Sequence, residues 1–179
     1  MVILQTLALS LFMKQAPGAV YTPHWWVAPS GYVLTGVGLH AHESRVPAWA
    51  VELKLGPKLV YQYGRKSAIA LRISPGWGME YNIARPLEHF GLLELGLGAE
   101  LMHFFSVEYS IGAQVGVFEG EVDPAFRHAV AWRFLYFFGP EIQHYVAGPS
   151  SSSDARSRQV VRIMLGLDVG YLIYWTQLH

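Results

Sequence analysis

The sequence predicts an all-β protein, an antiparallel up-and-down transmembrane β-barrel of eight strands. Apolar residues alternate with small or polar ones through most of the chain, and a period of two marks strands with two unlike faces. Charged residues are only 15% of the 179 residues, and aromatic residues reach 14%. Such a low charged fraction with so many aromatic residues favours an apolar exterior or an unusually apolar core. No run of 18 apolar residues exists, so a membrane-spanning helix is not expected.

The clearest strand is predicted at residues 67–84, where the alternation is strict. One face is uninterrupted in its bulky and apolar residues, and the other carries an arginine and a glutamate among alanines and glycines. In a membrane barrel the apolar face contacts lipid and the polar face fills the lumen. The apolar face consists of Ile69, Leu71, Ile73, Pro75, Trp77, Met79, Tyr81 and Ile83.

The same alternation predicts further strands along the rest of the chain. They are expected at residues 32–42, 49–63, 90–101, 104–118, 128–144 and 160–175. Prolines and a His-Trp-Trp cluster mark residues 15–30 as a loop, and an Asp-Pro pair marks residues 119–127 as a charged turn. Residues 147–158 are a polar, serine-rich loop.

The N-terminal residues have two interpretations. Residues 2–13 form either the first strand, which brings the total to eight, or the apolar part of a signal peptide that ends near residue 19. The lack of a basic region before the apolar run favours the strand. On that interpretation, residues 1–179 form a single transmembrane barrel domain.

Glycines and charges fall on the same face of the predicted strands. Glycine weakens a strand unless the sheet must bend or another group must approach closely, and both conditions hold inside a narrow barrel. Charges of both signs on that face are expected to pair with one another as a network that plugs the lumen. The predicted network consists of Glu52, Lys54, Lys58, Arg72, Glu80, Glu94, Glu100, Glu108, Arg133, Glu141, Arg162 and Asp168.

Aromatic residues on the opposite face cluster near the strand ends, as in the girdles of membrane barrels. A soluble lipocalin-like barrel would show the reverse pattern, with an apolar lumen and a charged exterior. The girdle residues are Trp49, Tyr61, Tyr63, Trp77, Tyr81, Trp132, Tyr171 and Trp175.

These features resemble the small eight-stranded outer-membrane proteins of Gram-negative bacteria, the class that includes OmpA, OmpX and OmpW. The C-terminal residues 170–175, GYLIYW, are similar to the aromatic-ended assembly signal of that class, although four residues follow them here. The resemblance implies a location in the bacterial outer membrane. It implies membrane lipid and lipopolysaccharide as partners, and it leaves room for other envelope proteins.

A second, fainter resemblance concerns His144. The segment Gln143-His144-Tyr145-Val146-Ala147-Gly148 is similar to the His-Tyr-Ser-Asn-Ala-Gly segment of the lipid A deacylase (PagL) family. That resemblance implies a lipid-facing acyl hydrolase centred on His144. The family's nucleophile is the serine two residues after the histidine, and that position here is Val146. Acyl transfer requires both groups.

Other histidines give weaker patterns. His103 with Ser106 and Glu108 has the residue types of a hydrolytic triad, but the strand phase separates them. His40 and His42 share the lumen side and could bind a metal with Glu52, yet no further ligand is identifiable. We therefore predict no metal and no cofactor, and the formal net charge of zero gives no reason to expect a nucleic-acid partner.

Three functions are compatible with this pattern. The first is a structural or interaction role, with a plugged lumen, as part of an envelope assembly. The alternatives are a deacylase-like enzyme centred on His144 and a narrow, porin-like channel for small solutes along the charged lumen. The sequence favours the first because no intact catalytic motif is present.

Overall fold

The computed structural model of the chain describes residues 22–40, 47–64, 67–83, 85–101, 105–118, 121–135, 138–147 and 159–170. These residues form eight antiparallel strands in a closed barrel in which each strand pairs with its neighbours in the chain and β8 pairs with β1. The strands are β1 His24–His40, β2 Ala48–Gly64, β3 Ser67–Asn82, β4 Arg85–Leu101, β5 Phe105–Phe118, β6 Glu121–Phe134, β7 Phe138–Ala147 and β8 Gln159–Asp168. The predicted all-β, up-and-down, eight-stranded barrel is confirmed.

The two rims of the barrel carry different connections. Residues 41–47, 83–84, 119–120 and 148–158 join strands at one rim, which we call the loop rim. Residues 65–66, 102–104 and 135–137 join strands at the other, the turn rim. In the described residues, no helix is long and apolar enough to cross a membrane.

The pairing register defines the tilt of the strands. Following paired residues once around the barrel from Ala28 leads back to β1 at Gly38, ten residues further along, so eight strands enclose a shear of ten. A stagger of this kind accompanies strands tilted by about 35–45°. The ring runs through Ala28, Lys58, Arg72, Gly96, Ser110, Ala129, Gln143, Arg162 and Gly38.

The adjacent ring shows the opposite chemistry. Every residue in it is apolar or aromatic, whereas the ring from Ala28 holds only small, polar or charged residues. Leu97 and Ile163 of the apolar ring are each 59% exposed, while Arg72 and Arg162 of the polar ring are each 1% exposed. The apolar ring runs through Val27, Leu59, Leu71, Leu97, Tyr109, Val130, Ile142, Ile163 and Val37.

Several predicted boundaries are wrong. β1 begins at His24, inside the predicted loop 15–30. The predicted turn 119–127 is also wrong, because residues from Glu121 onward belong to β6. The predicted strand 160–175 ends early, at Asp168. The proposed strand or signal peptide at residues 2–13 and the C-terminal aromatic segment beyond residue 170 lie outside the described residues.

The predicted single strand 128–144 is two strands joined at residues 135–137. Phe134 pairs with Phe138 across this turn, four positions apart, so even-numbered residues stay outside and odd-numbered residues stay inside on both strands. The alternation therefore passes through the turn unbroken. The turn also lacks glycine, proline and asparagine, and Leu135 itself adopts the left-handed conformation, with φ of 52°. The nearest local turn signal, Gly139-Pro140, lies past the break and inside β7.

Candidate functional site

The structure places the twelve residues of the predicted network inside the barrel. Eleven of them are at most 9% exposed, and the side chain of Glu100 is 14% exposed. Ion pairs join strands that are not neighbours, such as Lys54 of β2 with Glu141 of β7 at 2.6 Å. Such contacts are possible only across the lumen.

Arg127 is the main residue that the sequence prediction missed. It is fully buried, and both of its terminal nitrogens donate to Glu52, from Nη1 to Oε1 at 3.0 Å and from Nη2 to Oε2 at 2.9 Å. Its Nε lies 2.5 Å from Glu94. The prediction placed Arg127 in a turn. Arg127 lies six residues before Arg133 in the same strand, β6, and every second residue of a strand faces the same side. The inward orientation predicted for Arg133 therefore also applies to Arg127.

Five residues form what we call the central cluster: Glu52, Lys54, Glu94, Arg127 and Glu141. The Nζ of Lys54 lies 2.6 Å from Glu141, 2.9 Å from Glu94 and 3.9 Å from Glu52. All five residues are at most 1% exposed. The cluster holds three carboxylates against two cations, and it draws further positive charge from arginines on either side. A buried charge needs such partners because water is not there to solvate it.

Toward the loop rim, Arg162 occupies a sandwich that we call the loop-side stack. Its guanidinium lies 4.8 Å from the ring centroid of Phe90 and 4.5 Å from that of Tyr145. Its Nη1 also donates to Glu52 at 3.1 Å, and its Nε donates to Glu80 at 3.0 Å. Gly78 leaves room for this stack, because a Cβ there would lie 2.4 Å from the Phe90 ring.

Toward the turn rim the arrangement is reversed in what we call the turn-side stack. Here one ring, Tyr32, lies between two guanidinium groups, with Arg72 at 4.7 Å and Arg133 at 5.0 Å from its centroid. The Nε of Arg72 donates to Glu108 at 3.0 Å, and Arg133 donates to Glu141 at 2.6 Å. Each cation therefore has its own carboxylate as well as the shared ring.

The network continues to the turn rim and ties the wall together there. Lys58, which pairs across the strands with Arg72, forms an ion pair with Glu100, one residue from the end of β4. Asp168 accepts a hydrogen bond at 3.2 Å from the backbone amide of Gly31. Glu80 lies near the opposite rim. Charged side chains are therefore found along the lumen from one rim to the other.

Arg133 has a second role in the wall. The pairing of β6 with β7 skips from Ala131–Glu141 to Phe134–Phe138, where Pro140 has no amide hydrogen to give. The Nη1 of Arg133 donates to the carbonyl oxygens of Pro140, Gly139 and Trp132 at 3.1, 3.3 and 3.4 Å. Glycine is required at 139, since a Cβ would lie 2.0 Å from the Trp132 oxygen. Arg133 thus supplies hydrogen bonds that the ladder lacks.

His144 lies on the outer wall, half-buried, as its strand phase predicted. It pairs across the strands with His128, and the two rings meet edge to face with 2.8 Å between His128 Nε2 and His144 Nδ1. Val146, two residues further on, pairs with Gln159 of β8. Among the described residues, no hydroxyl, thiol or carboxylate bonds to His144, so the described wall gives this histidine no nucleophile.

The remaining candidates gather no site in the described part of the chain. His103 lies outside the described residues, as does His42. Ser106 and Glu108 both point into the lumen, where Glu108 is bound to Arg72. No group of three or more potential metal ligands assembles among the described residues.

No protein-family model matches the sequence, and no curated protein matches it either. Several solved structures match the chain, among them an outer membrane enzyme and a designed barrel. The outer membrane enzyme PagL matches with a TM-score of 0.54 at 8% identity, covering 77% of this chain and 99% of PagL. A designed transmembrane β-barrel matches with a TM-score of 0.40 at 15% identity, covering 88% of this chain and 100% of the design. The likeness to PagL is one of fold alone. The closed antiparallel barrel with an exposed apolar outer wall is that of a transmembrane β-barrel.

Proposed function

We propose that this chain is an integral β-barrel of the bacterial outer membrane, with a structural or interaction role and with a lumen closed by its own ion pairs. The observation that carries the proposal is the column of buried charges from Glu80 to Glu100. Along this column, charged side chains from non-adjacent strands pair with one another across the lumen. In this role the outer wall contacts membrane lipid and lipopolysaccharide, and the rims are the surfaces available to other envelope proteins.

The energy needed to separate the ion pairs of the lumen supports a closed lumen rather than a channel for solutes. A solute that enters must separate charges that lie between 2.5 and 3.1 Å apart in the central cluster and loop-side stack. Breaking one buried pair costs about 3–5 kcal/mol, and a passing ion would break several. The two guanidinium–aromatic stacks lie above and below the cluster and add large side chains at both levels.

Conductance of single barrels in planar lipid bilayers tests the closed lumen. We expect the wild type to give no steps in potassium chloride. The triple substitution Tyr32→Ala, Phe90→Ala and Arg127→Ala should produce steps, because it removes a large side chain from each stack and from the central cluster between them. The double substitution Trp25→Ala and Trp77→Ala, which removes two exposed rings of the outer wall, is the matched control and should remain silent. Wild-type conductance that Arg72→Ala alters would favour the narrow channel instead.

A separate measurement addresses catalysis. Lipid A extracted from cells that express the protein should keep all of its acyl chains, because Val146 replaces the nucleophile and His144 is bonded to His128. Mass spectrometry would detect the loss of a chain. A loss that disappears in a His144→Ala variant would assign the wall to a deacylase and would overturn the structural role.

A further inference from the structure

The pair of histidines on the outer wall has no part in the lumen network. His128 belongs to β6 and His144 to β7, and the two are directly opposite in the register. Cross-strand neighbours of this kind have Cβ atoms about 4.5–5.5 Å apart, within chelating reach for imidazoles. Both side chains are half-buried, and the rings of Tyr109 and Phe126 lie 6.3 and 6.4 Å from the ring of His128.

The position of the pair gives it access to water. His144 lies three residues before the end of β7 at Ala147, where residues 148–158 connect to β8 at the loop rim. Three residues of a strand span about 10 Å, and the tilt of the barrel shortens the corresponding depth in the membrane. On the β7 side the pair therefore lies near the edge of the lipid-facing wall, whereas β6 continues for seven residues beyond His128 toward the loop rim. An ion or a lipid phosphate group can approach from the β7 side.

We propose that His128 and His144 form a binding site for a divalent transition-metal ion, with copper(II) preferred. Imidazole nitrogens are good ligands for copper, nickel and zinc, and the affinity of a given site generally peaks at copper(II). The register also brings the two donors together. His128 Nε2 and His144 Nδ1 lie 2.8 Å apart, so rotation of the two rings about their side-chain bonds can bring both nitrogens to about 2.0 Å from one ion.

The exchange of ligands is simple. In their mutual hydrogen bond, one imidazole donates an N–H and the other accepts with its lone pair. Binding the ion breaks this hydrogen bond, and the donor ring passes its proton, through solvent, to its other ring nitrogen. Each ring then keeps one N–H and turns the lone pair of the freed nitrogen toward the metal, so no net proton is released. The protein supplies two donors, and water or the phosphate oxygens of neighbouring lipids complete the coordination.

Copper(II) titration of the refolded protein in detergent micelles, without a polyhistidine tag, tests the site. The readouts are the stoichiometry at saturation and the nitrogen hyperfine structure of the electron paramagnetic resonance spectrum. We expect one ion bound by two imidazole nitrogens. His128→Gln or His144→Gln should weaken the affinity at least about 10-fold, since even outer partners of metal ligands account for that much. Nickel(II) and zinc(II) should both bind more weakly than copper(II).

His89→Gln is the matched control. His89 also faces outward, but it stacks on Trp77, with centroids 5.5 Å apart, and has no histidine opposite it. This variant should bind copper as the wild type does. Equal affinity in the wild type and in the His128→Gln, His144→Gln double variant would overturn the proposal. Should the glutamine variants fail to fold, a wild-type spectrum showing a single protein nitrogen would overturn it equally.

Discussion

The central cluster and the Lys58–Glu100 ion pair at the turn rim use the same chemistry in different surroundings. In the cluster, Glu52 is wholly buried, and its carboxylate accepts hydrogen bonds from Arg127, Arg162 and the side-chain amide of Gln143. At the rim the two side chains are 11% and 14% exposed. Loss of a partner in the cluster leaves a charge without solvent, whereas loss at the rim leaves one that water can reach. The value of an ion pair in this lumen therefore depends on depth and on the number of partners.

The largest effect is expected for Arg127→Met. Methionine fills a similar volume but removes the bidentate contacts with Glu52 and the contact with Glu94, so two carboxylates lose their nearest cation. We expect the free energy of unfolding to fall by about 3–5 kcal/mol, measured by urea unfolding of the barrel in lipid vesicles. Arg127→Met should also slow refolding into the compact barrel, which is the form that stays folded in sodium dodecyl sulfate when the sample is not boiled.

A double-mutant cycle separates pairing from packing at this position. Glu52→Gln and Arg127→Gln are measured singly and together, and contacting residues of this kind show coupling of about 0.5–3 kcal/mol. We expect the double variant to be less destabilised than the sum of the single variants. Strict additivity would mean that the two side chains act independently and would contradict the bidentate pair as the stabilising element.

Much of this fold follows from the alternation alone, because each side chain in a closed barrel faces either the lumen or the lipid. Glu52 and Arg72 could be placed inside by counting in steps of two, and His144 could be placed outside in the same way. The partners could not be predicted. Lys54 meets Glu141 across the lumen, and that contact depends on the shear of the whole barrel rather than on any local pattern.

Strand boundaries were the weak point of the prediction for a physical reason. The connection at residues 135–137 keeps even-numbered residues outside on both strands, so the alternation in the sequence continues through it without a break. The Asp-Pro pair of β6 is the opposite case, because it is a turn signal inside a strand. Pro124 is tolerated there in an exposed position close to the loop rim, where prolines disturb the ladder least. Arg127 was missed because that signal was given more weight than its parity.

An intermediate effect is expected for Arg133→Lys, which keeps the charge beside Glu141 but removes the guanidinium fork. The carbonyl oxygens of Trp132, Gly139 and Pro140 then lose their donor, and a buried unsatisfied group costs about 1–3 kcal/mol. Hydrogen exchange should accelerate for the amides of β6 and β7 around this gap.

The ladder between β2 and β3 supplies the internal reference. It also skips positions, from Lys54–Gly76 to Lys58–Arg72, across Pro57 and Pro75. Arg133 does not reach it, so exchange at its flanking amides should be unchanged. Faster exchange in both gaps would mean that Arg133→Lys loosens the whole barrel and would refute a local role.

The smallest effect is expected for Lys58→Gln at the turn rim. Glutamine keeps a donor for Glu100, and the carboxylate, whose side chain is 14% exposed, can regain part of its solvation. The free energy of unfolding should therefore fall by about 1–2 kcal/mol, between the values for exposed and for fully buried pairs. The same substitution at Lys54, whose Nζ lies within 4 Å of three carboxylates, should cost more. Added salt should reduce the difference in free energy of unfolding between the wild type and Lys58→Gln. The corresponding difference for Lys54→Gln should not change, because mobile ions screen only charges that they can approach. Equal losses for the two lysines would show that depth in the lumen does not set the strength of its ion pairs.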